Sequence, residues 1–218
     1  MKIVQPIYLK DYAPGYSIFT LNLNSFVSNG IAWFENMDEA LEFHGHLPQN
    51  IYKTGTSHVV SVIDHEWGIE AAERGIKKVK LAEYFEHPNM LVVCREPRGM
   101  YDALAHIKLS WQLDKEGARY DYLSLFGHAL AITTGLQNLF PFIRKLPPIG
   151  HIEGRWVCSA FDVEGFKQIS IYAAEDMYHE WNVHRVHVHR QWNEFPYKSF
   201  HLGKIRKGDR YEKVDYAF

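Results

Sequence analysis

Residues 54–63 read TGTSHVVSVI, in which a histidine leads into a compact run of valine, serine and isoleucine. Valine and isoleucine favour strands because their branched side chains pack well on a pleated surface. The stretch therefore predicts a strand over residues 57–63, with His58 near its beginning. A sheet built on this strand carries an imidazole at one end.

The segments around this strand predict a sheet whose strands follow one another along the chain. Residues 16–23 form a β-rich run, and residues 67–72 and 75–79 resume strand character on either side of a turn. Residues 89–95 are largely apolar, which is typical of a central strand. Because consecutive strands joined by short turns pair in opposite directions, we expect a mainly antiparallel sheet.

Apolar residues at helical spacing mark four further segments: 36–43, 104–115, 122–137 and 159–170. We expect the last helix to be interrupted or to end around Gly165, because glycine weakens a helix interior. Residues 183–191 alternate as a strand, and the polar residues from about 195 predict a loosely attached tail. The sequence therefore predicts a single α+β domain over residues 1–218, with the sheet packed against helices.

The composition is that of one folded domain. Of the 218 residues, 46% are apolar and 23% are charged, and a net charge of -2 without a basic cluster argues against nucleic acid as a partner. We see no transmembrane segment and no signal-peptide pattern, and so expect a cytoplasmic protein. Two cysteines do not indicate a disulfide framework, so both thiols are available for other roles.

Cys158 is the stronger candidate for thiol chemistry. It follows a glycine-containing loop and precedes a predicted helix, so its sulfur would lie near the positive end of the helix dipole. Cys94 stands inside the apolar run 89–95 and is interpreted as a small buried hydrophobe. A catalytic thiolate also uses a neighbouring imidazole, and spacing alone does not select one from 13 histidines.

Short motifs along the chain resemble the circularly permuted NlpC/P60 families, which are papain-like and more distantly related to the lecithin-retinol acyltransferases. Residues 57–62 resemble their Ser-His-Val-Gly-Ile-Val strand, and residues 156–161 (WVCSAF) resemble their Tyr-Cys-Ser-Glu-Leu helix start. Residues 69–71 resemble the strand after the histidine, and residues 120–122 a Tyr-Asp segment. Residues 14–19 are a weaker match to a Pro-Gly-Asp-Ile strand. The motifs follow one another in the order that the family has.

The resemblance implies a papain-like fold in which Cys158 is the nucleophile and His58 is its base. It also implies that Glu70 orients His58, and that the Tyr120 hydroxyl joins the backbone N–H of Cys158 in stabilising an oxyanion. Asp64 or a nearby amide is the alternative orienter. Outside this resemblance, His58 would be an ordinary half-buried strand histidine, Glu70 a solvated carboxylate, and Tyr120 an aromatic filling the interface between helix and sheet.

These residues lead to the hypothesis of a thiol-dependent hydrolase that cleaves an amide, meaning a peptide or isopeptide bond, through a Cys-His-Glu triad and a thioester. An acyltransferase or lipid acyl hydrolase with the same triad is the alternative, and a non-catalytic binding module on the same fold is a further one. The expected partner is a peptide, amide or acyl-lipid substrate, and we expect no cofactor. The chain departs from the family at Val60, where glycine is common, and at Ala160-Phe161, where the family has Glu-Leu; these departures bear on the substrate pocket.

Two other features compete for a functional role. The segment from His184 to His189 reads HRVHVH, and two imidazoles on one strand face are able to share a zinc ion. A third ligand would come from Asp176, His179 or His201. A polar strand face is the plainer account, so we predict no metal site. The apolar residues between Phe126 and Ile143 are expected to be core, and an open apolar groove there would favour the acyl alternative.

Overall fold

The computed structural model describes the following residues of the chain: 14–22, 24–39, 56–87, 89–97, 103–134, 139–167, 182–186, 188, 191, 197–204 and 211–215. The strands in these ranges are β1 (Ser17–Asn22), β2 (His58–Val62), β3 (Trp67–Ala72), β4 (Gly75–Lys80), β5 (Met90–Pro97), β6 (Arg119–Tyr120), β7 (Arg155–Trp156), β8 (Tyr197–Lys204) and β9 (Tyr211–Asp215). The α-helices are α1 (Phe26–Glu39), α2 (Leu81–Phe85), α3 (Ala103–Lys115), α4 (Tyr122–Thr134) and α5 (Cys158–Lys167). The predicted α+β class is confirmed. None of these helices has both the length and the apolar character needed to cross a bilayer.

A seven-stranded sheet forms the centre of the molecule, in the order β4-β3-β2-β1-β5-β8-β9. Its pairings are antiparallel, as expected. β1 pairs with both β2 and β5, which places Ile18 between Val60 and Cys94 in one row across the sheet. Cys94 is buried there, so its interpretation as a small core residue is confirmed.

Each face of the sheet has its own apolar cluster, because side chains alternate between the two faces of a strand. One cluster combines side chains of the sheet with α2 and consists of Ile18, Val60, Val62, Val79, Leu81, Phe85, Val92 and Cys94. The other combines β3 with α3 and α5 and consists of Ile69, Ala71, Leu109, Leu113 and Phe161. Helices therefore pack on both faces of the β2–β4 region, and α5 carries Cys158 at its first residue.

A buried carboxylate fixes α5 to the sheet. Asp162 is fully buried and accepts hydrogen bonds from the hydroxyls of Ser17 and Ser61 and from the Gln191 amide at 2.5 Å. His106 of α3 donates to the backbone carbonyl of Asp162 at 2.9 Å. A buried charge is tolerated only when several hydrogen bonds replace its hydration, so this cluster fixes how α3, α5, β1 and β2 sit together.

Of the two expectations for Gly165, an interruption of α5 is wrong, whereas an end of the helix near this residue agrees with its last residue, Lys167. The helix runs on to Lys167 because Gly165 provides space for His106: a Cβ on Gly165 would lie 2.1 Å from the His106 Nε2 atom. The absence of a side chain here serves packing between two helices rather than a turn.

Three other segment predictions differ from the structure. Helix α1 begins at Phe26, ten residues before the predicted 36–43 segment, of which 40–43 lie outside the described residues. Residues 183–185 are a 3-10 helix rather than a strand, because the Asn182 side chain accepts the His184 backbone N–H and turns the chain. The expected tail from about residue 195 is wrong for β8 and β9, whose backbones pair with β5 and with each other; an unpaired β5 edge would leave a row of unsatisfied peptide groups.

Candidate active site

Cys158 lies where a short ladder meets the start of a helix. β6 and β7 pair in parallel, with Tyr120 opposite Trp156, and the chain then enters α5 after Val157. The first backbone N–H groups of a helix lack intrahelical acceptors and carry partial positive charge, which favours an anion such as a thiolate. Cys158 is 2% exposed, so its environment is set by protein groups rather than by bulk water.

His58 and Glu70 are joined across the sheet by their side chains. The Nε2–H of His58 donates to the Glu70 Oε2 atom at 2.5 Å. The backbones of β2 and β3 pair at Ser61 with Ile69 and at Val62 with Gly68, near the turn between the two strands. The hydrogen bond between His58 and Glu70 links the two strands farther from this turn. It also fixes the orientation of the imidazole ring.

Three donors converge on the buried Glu70 carboxylate. Besides His58, the Tyr84 hydroxyl of α2 donates to Oε2, and the Lys77 ammonium of β4 lies 3.0 Å from Oε1. Burial alone would raise the pKa of Glu70, but the positive charge of His58 and these hydrogen bonds outweigh it and lower the pKa to about 2. The carboxylate is therefore ionised whenever the site is formed at neutral pH.

The Cys158 side chain also interacts with His58. Burial lowers the pKa of His58, yet the negative charges of Cys158 and Glu70 outweigh burial and raise that pKa to about 10. The imidazole is therefore favoured as a cation at neutral pH. His58 is 21% exposed whereas Glu70 is 2% exposed, so the group opens to solvent on the side of the imidazole.

The structure thus brings together three of the residues singled out in the sequence, Cys158, His58 and Glu70. Tyr120 lies on β6, packs against the cluster around Ile69 and Phe161, and makes an edge contact with Tyr122 at a ring distance of 4.9 Å. Its role as an oxyanion donor stays a prediction.

The alternative orienter has a different structural role. The Asp64 Oδ1 atom accepts the backbone N–H groups of Glu66 and Trp67, both at 2.8 Å. It therefore stabilises the turn between β2 and β3, and Glu70 is the carboxylate that contacts His58.

Tyr84 and Lys77 belong to the site and were not found from the sequence. The Tyr84 ring also stacks on His58, with a centroid distance of 6.4 Å. α2 has five residues, too few to show helical periodicity, and only the sheet packing places Tyr84 over Glu70. Lys77 could have been found from the sequence, because a β3–β4 hairpin that turns at residues 73 and 74 places Lys77 directly opposite Glu70.

His184 is the histidine of the HRVHVH segment that the structure describes, and its contacts are with other protein groups. His184 stacks on His151 with a ring distance of 3.9 Å, and His151 is hydrogen-bonded to Asp121 at 2.6 Å. Burial, followed by the neighbouring His151, lowers the pKa of His184 to about 4, so this ring is neutral at pH 7. His187 and His189 lie outside the described residues, and among those that are described no group of three or more His, Cys, Asp or Glu is arranged to hold a metal ion.

The apolar residues before the nucleophile are not core, contrary to expectation. Phe126, Leu139, Phe140 and Phe142 are all exposed, and Ile143 is half-buried. Leu136 lies outside the described residues. The polypeptide thus presents a broad apolar surface beside the loop that leads to Cys158.

Comparison of the chain with models of protein families, with curated proteins and with solved structures returns no significant match.

Proposed function

We propose that this protein is a thiol hydrolase with a papain-like arrangement, in which Cys158 is the nucleophile, His58 the base and Glu70 the residue that orients the base. The observation that carries the proposal is the position of the His58 ring, which is hydrogen-bonded to the Glu70 carboxylate and interacts with the Cys158 side chain. A nucleophile, a base and a group that holds the base form the arrangement on which acyl transfer depends. The position of Cys158 at the start of α5 adds the helix dipole to the stabilisation of its anion.

The proposed reaction begins with attack of the Cys158 thiolate on the carbonyl carbon of an amide. A C–S bond forms, and the carbonyl π electrons move onto oxygen. When the tetrahedral intermediate collapses, the C–N bond breaks and the His58 imidazolium gives its proton to the leaving amine. Neutral His58 then takes a proton from water, the resulting hydroxide adds to the thioester, and C–S cleavage releases the carboxylic acid and restores the thiolate.

The oxyanion of each intermediate needs donors aimed at it. The backbone N–H of Cys158 is the first candidate, because it belongs to the unpaired first turn of α5. Tyr120, which lies opposite Trp156 in the β6–β7 ladder, is the proposed second donor.

The second candidate function is an acyltransferase or lipid acyl hydrolase that uses the same three residues. The observation that favours it is the exposed apolar surface beside the site, which includes Phe126, Leu139 and Phe142. An acyl chain would find there the apolar environment that a peptide substrate does not require. The thioester and the role of His58 are common to both functions.

Mass spectrometry of acylated protein tests the proposal. Incubation with an activated ester and with an amide of the same acyl group should add one acyl mass to Cys158. Cys94→Ala is the matched control because Cys94 is equally buried but lies in the core row of β5, and it should acylate like the wild type. Acylation retained in Cys158→Ala, or acyl mass found on Cys94, would contradict the proposal. Comparison of acyl chains of two and of sixteen carbons separates the two functions, since only the lipid function predicts a strong preference for the longer chain.

A further inference from the structure

Helix α4 presents an apolar face to solvent. Its thirteen residues, Tyr122–Thr134, contain no charged side chain. Tyr122, Leu123, Phe126 and Leu130 are exposed, and Phe126 has 70% of its surface accessible. Because residues four apart lie on one side of a helix, Tyr122, Phe126 and Leu130 form a continuous stripe. An uncharged helix with an exposed aromatic stripe is unusual for a surface that meets only water.

The segment before Cys158 extends this face. Its exposed apolar side chains are Leu139, Phe140, Phe142, Leu146, Ile149 and Ile152. The segment lies directly on α4: a Cβ on Gly127 would be 1.8 Å from the Ile149 carbonyl oxygen, and one on Gly150 would be 3.1 Å from the Leu123 carbonyl oxygen. The stripe of α4 and the exposed apolar side chains of this segment, which meet at these contacts, are named the apolar platform below.

Buried polar contacts hold the apolar platform in shape. The Arg185 guanidinium donates to the carbonyls of Leu146 and Pro147 at 2.5 and 3.0 Å, and the Asn182 backbone N–H donates to the Arg144 carbonyl at 2.8 Å. At the other end His151 is bound to Asp121, the residue that caps α4. A surface ordered in advance pays less conformational entropy when it binds.

The charges at the edge of the platform are mainly basic. Arg144 and Lys145 follow Phe142 within the 3-10 helix Pro141–Lys145, and Arg155 lies at the end of the segment; Glu153 is the acidic residue near it. Aromatic side chains followed directly by Arg and Lys are typical of segments that enter the interface of an anionic bilayer. A protein partner would more often meet a polar rim of both signs.

We propose that the apolar platform is the surface by which this protein binds a bilayer that contains anionic phospholipid. Phe140 and Phe142 enter the interfacial region, and Lys145 with Arg144 contacts the lipid phosphates. The β6–β7 ladder joins the start of α4 to the start of α5, so a bound membrane lies near the start of the helix that carries Cys158. The inference does not depend on the proposed chemistry of Cys158.

Vesicle flotation tests this surface, with vesicles of phosphatidylcholine alone and with about 30% phosphatidylserine added. The full chain should float with the mixed vesicles, and the double variant Phe140→Ser/Phe142→Ser should lose at least about tenfold in partitioning, because two exposed aromatic side chains no longer enter the interface. Lys145→Ala should lose about fivefold on mixed vesicles and little on neutral ones, since one basic residue contributes about 1 kcal/mol near an anionic surface.

Two matched controls complete the experiment. Trp111→Ser removes an aromatic side chain from α3 that is as exposed as Phe142, and it should leave flotation unchanged. Cys158→Ser should also leave flotation unchanged, which separates this inference from the catalytic proposal. The inference is overturned if the wild-type protein stays with the soluble fraction, or if Phe140→Ser/Phe142→Ser floats like the wild type. It is also overturned if these phenylalanines instead support self-association in size-exclusion chromatography without any vesicle binding.

Discussion

Two buried pairs of an acid and a histidine lie close to α5 and behave differently. Glu70 contacts His58, whose ring retains 21% exposure and reaches the Cys158 side chain. Asp162 lies 3.4 Å from His106, which is 1% exposed and packed edge-on against two phenylalanines of α5. The first pair has a thiol beside it and a partly exposed ring, and the second has neither a thiol among its described contacts nor exposure. The difference fits a structural role for the sealed pair and the proposed chemical role for the open one.

The largest expected effect comes from the sealed pair. Asp162→Ala leaves the hydroxyls of Ser17 and Ser61 and the Gln191 amide without their common acceptor. Each buried donor left unsatisfied costs on the order of 1–3 kcal/mol, so we expect a loss of about 4 kcal/mol in unfolding free energy. Urea denaturation measures this loss. Glu164→Ala on the same helix is the control and should change stability by less than about 0.5 kcal/mol; equal losses in the two variants would refute the structural role of Asp162.

The next effect concerns Glu70 and depends on pH. The pKa of Glu70 is lowered in the folded protein to about 2 from an ordinary value of 4.5. A lowered carboxyl pKa stabilises the folded state above the unfolded pKa, and that contribution disappears as pH falls through the folded value. Glu70→Gln should therefore be less stable than the wild type by up to about 3 kcal/mol at pH 6, and the two proteins should converge between pH 4.5 and pH 2. A difference that stays constant over this range would show that the carboxylate charge is not the cause.

The packing between the sealed histidine and α5 gives a smaller effect. A methyl group on Gly165 would overlap the His106 ring, and overpacking of this kind costs about 1–3 kcal/mol. Gly165→Ala should therefore lower the thermal midpoint. Gly30→Ala is the matched control, because Gly30 also lies inside a helix but has nothing within 4 Å of the added carbon; it should stabilise by up to about 1 kcal/mol. If both variants gained stability, the contact with His106 would not be tight.

Tyr84 provides the smallest expected change in stability. Tyr84→Phe removes one of the three donors to Glu70 and keeps the ring that stacks on His58. We expect a loss of about 1 kcal/mol in stability and an upward shift in the pKa of Glu70, measured by following its carboxyl carbon resonance during an NMR titration. An unchanged pKa would mean that His58 and Lys77 alone account for the ionised carboxylate.

Much of the site's framework could be predicted from the sequence. The strands around His58 and Glu70 follow from β-branched runs and a two-residue turn, and Cys158 begins a helix as its position after a glycine-containing loop suggests. These are local signals, which short-range propensity and periodicity record well.

The features that could not be predicted are set by contacts between distant parts of the chain. A glycine at position 165 predicts a break in the helix, but in the structure its missing side chain leaves space for His106, which lies 59 positions earlier in the chain. Tyr84 reaches Glu70 only because a five-residue helix is placed on the sheet. The strands β8 and β9 come from a polar segment whose placement depends on the free edge of β5. Each is a tertiary constraint that overrides a local pattern.

The reaction of Cys158 with iodoacetamide tests the central claim most directly. The alkylation rate at pH 8.5 is divided by the rate at pH 6 for each protein, so that the slowing caused by burial of the sulfur is the same in both rates and drops out of the ratio. A free cysteine thiol ionises near pH 8.5, so its rate rises about a hundredfold over this interval. The proposed ion pair between His58 and Cys158 predicts that the wild-type rate changes less than about fivefold. The His58→Ala rate should rise about a hundredfold as for the free thiol. A wild-type rate that rises as steeply as that of His58→Ala would contradict the account.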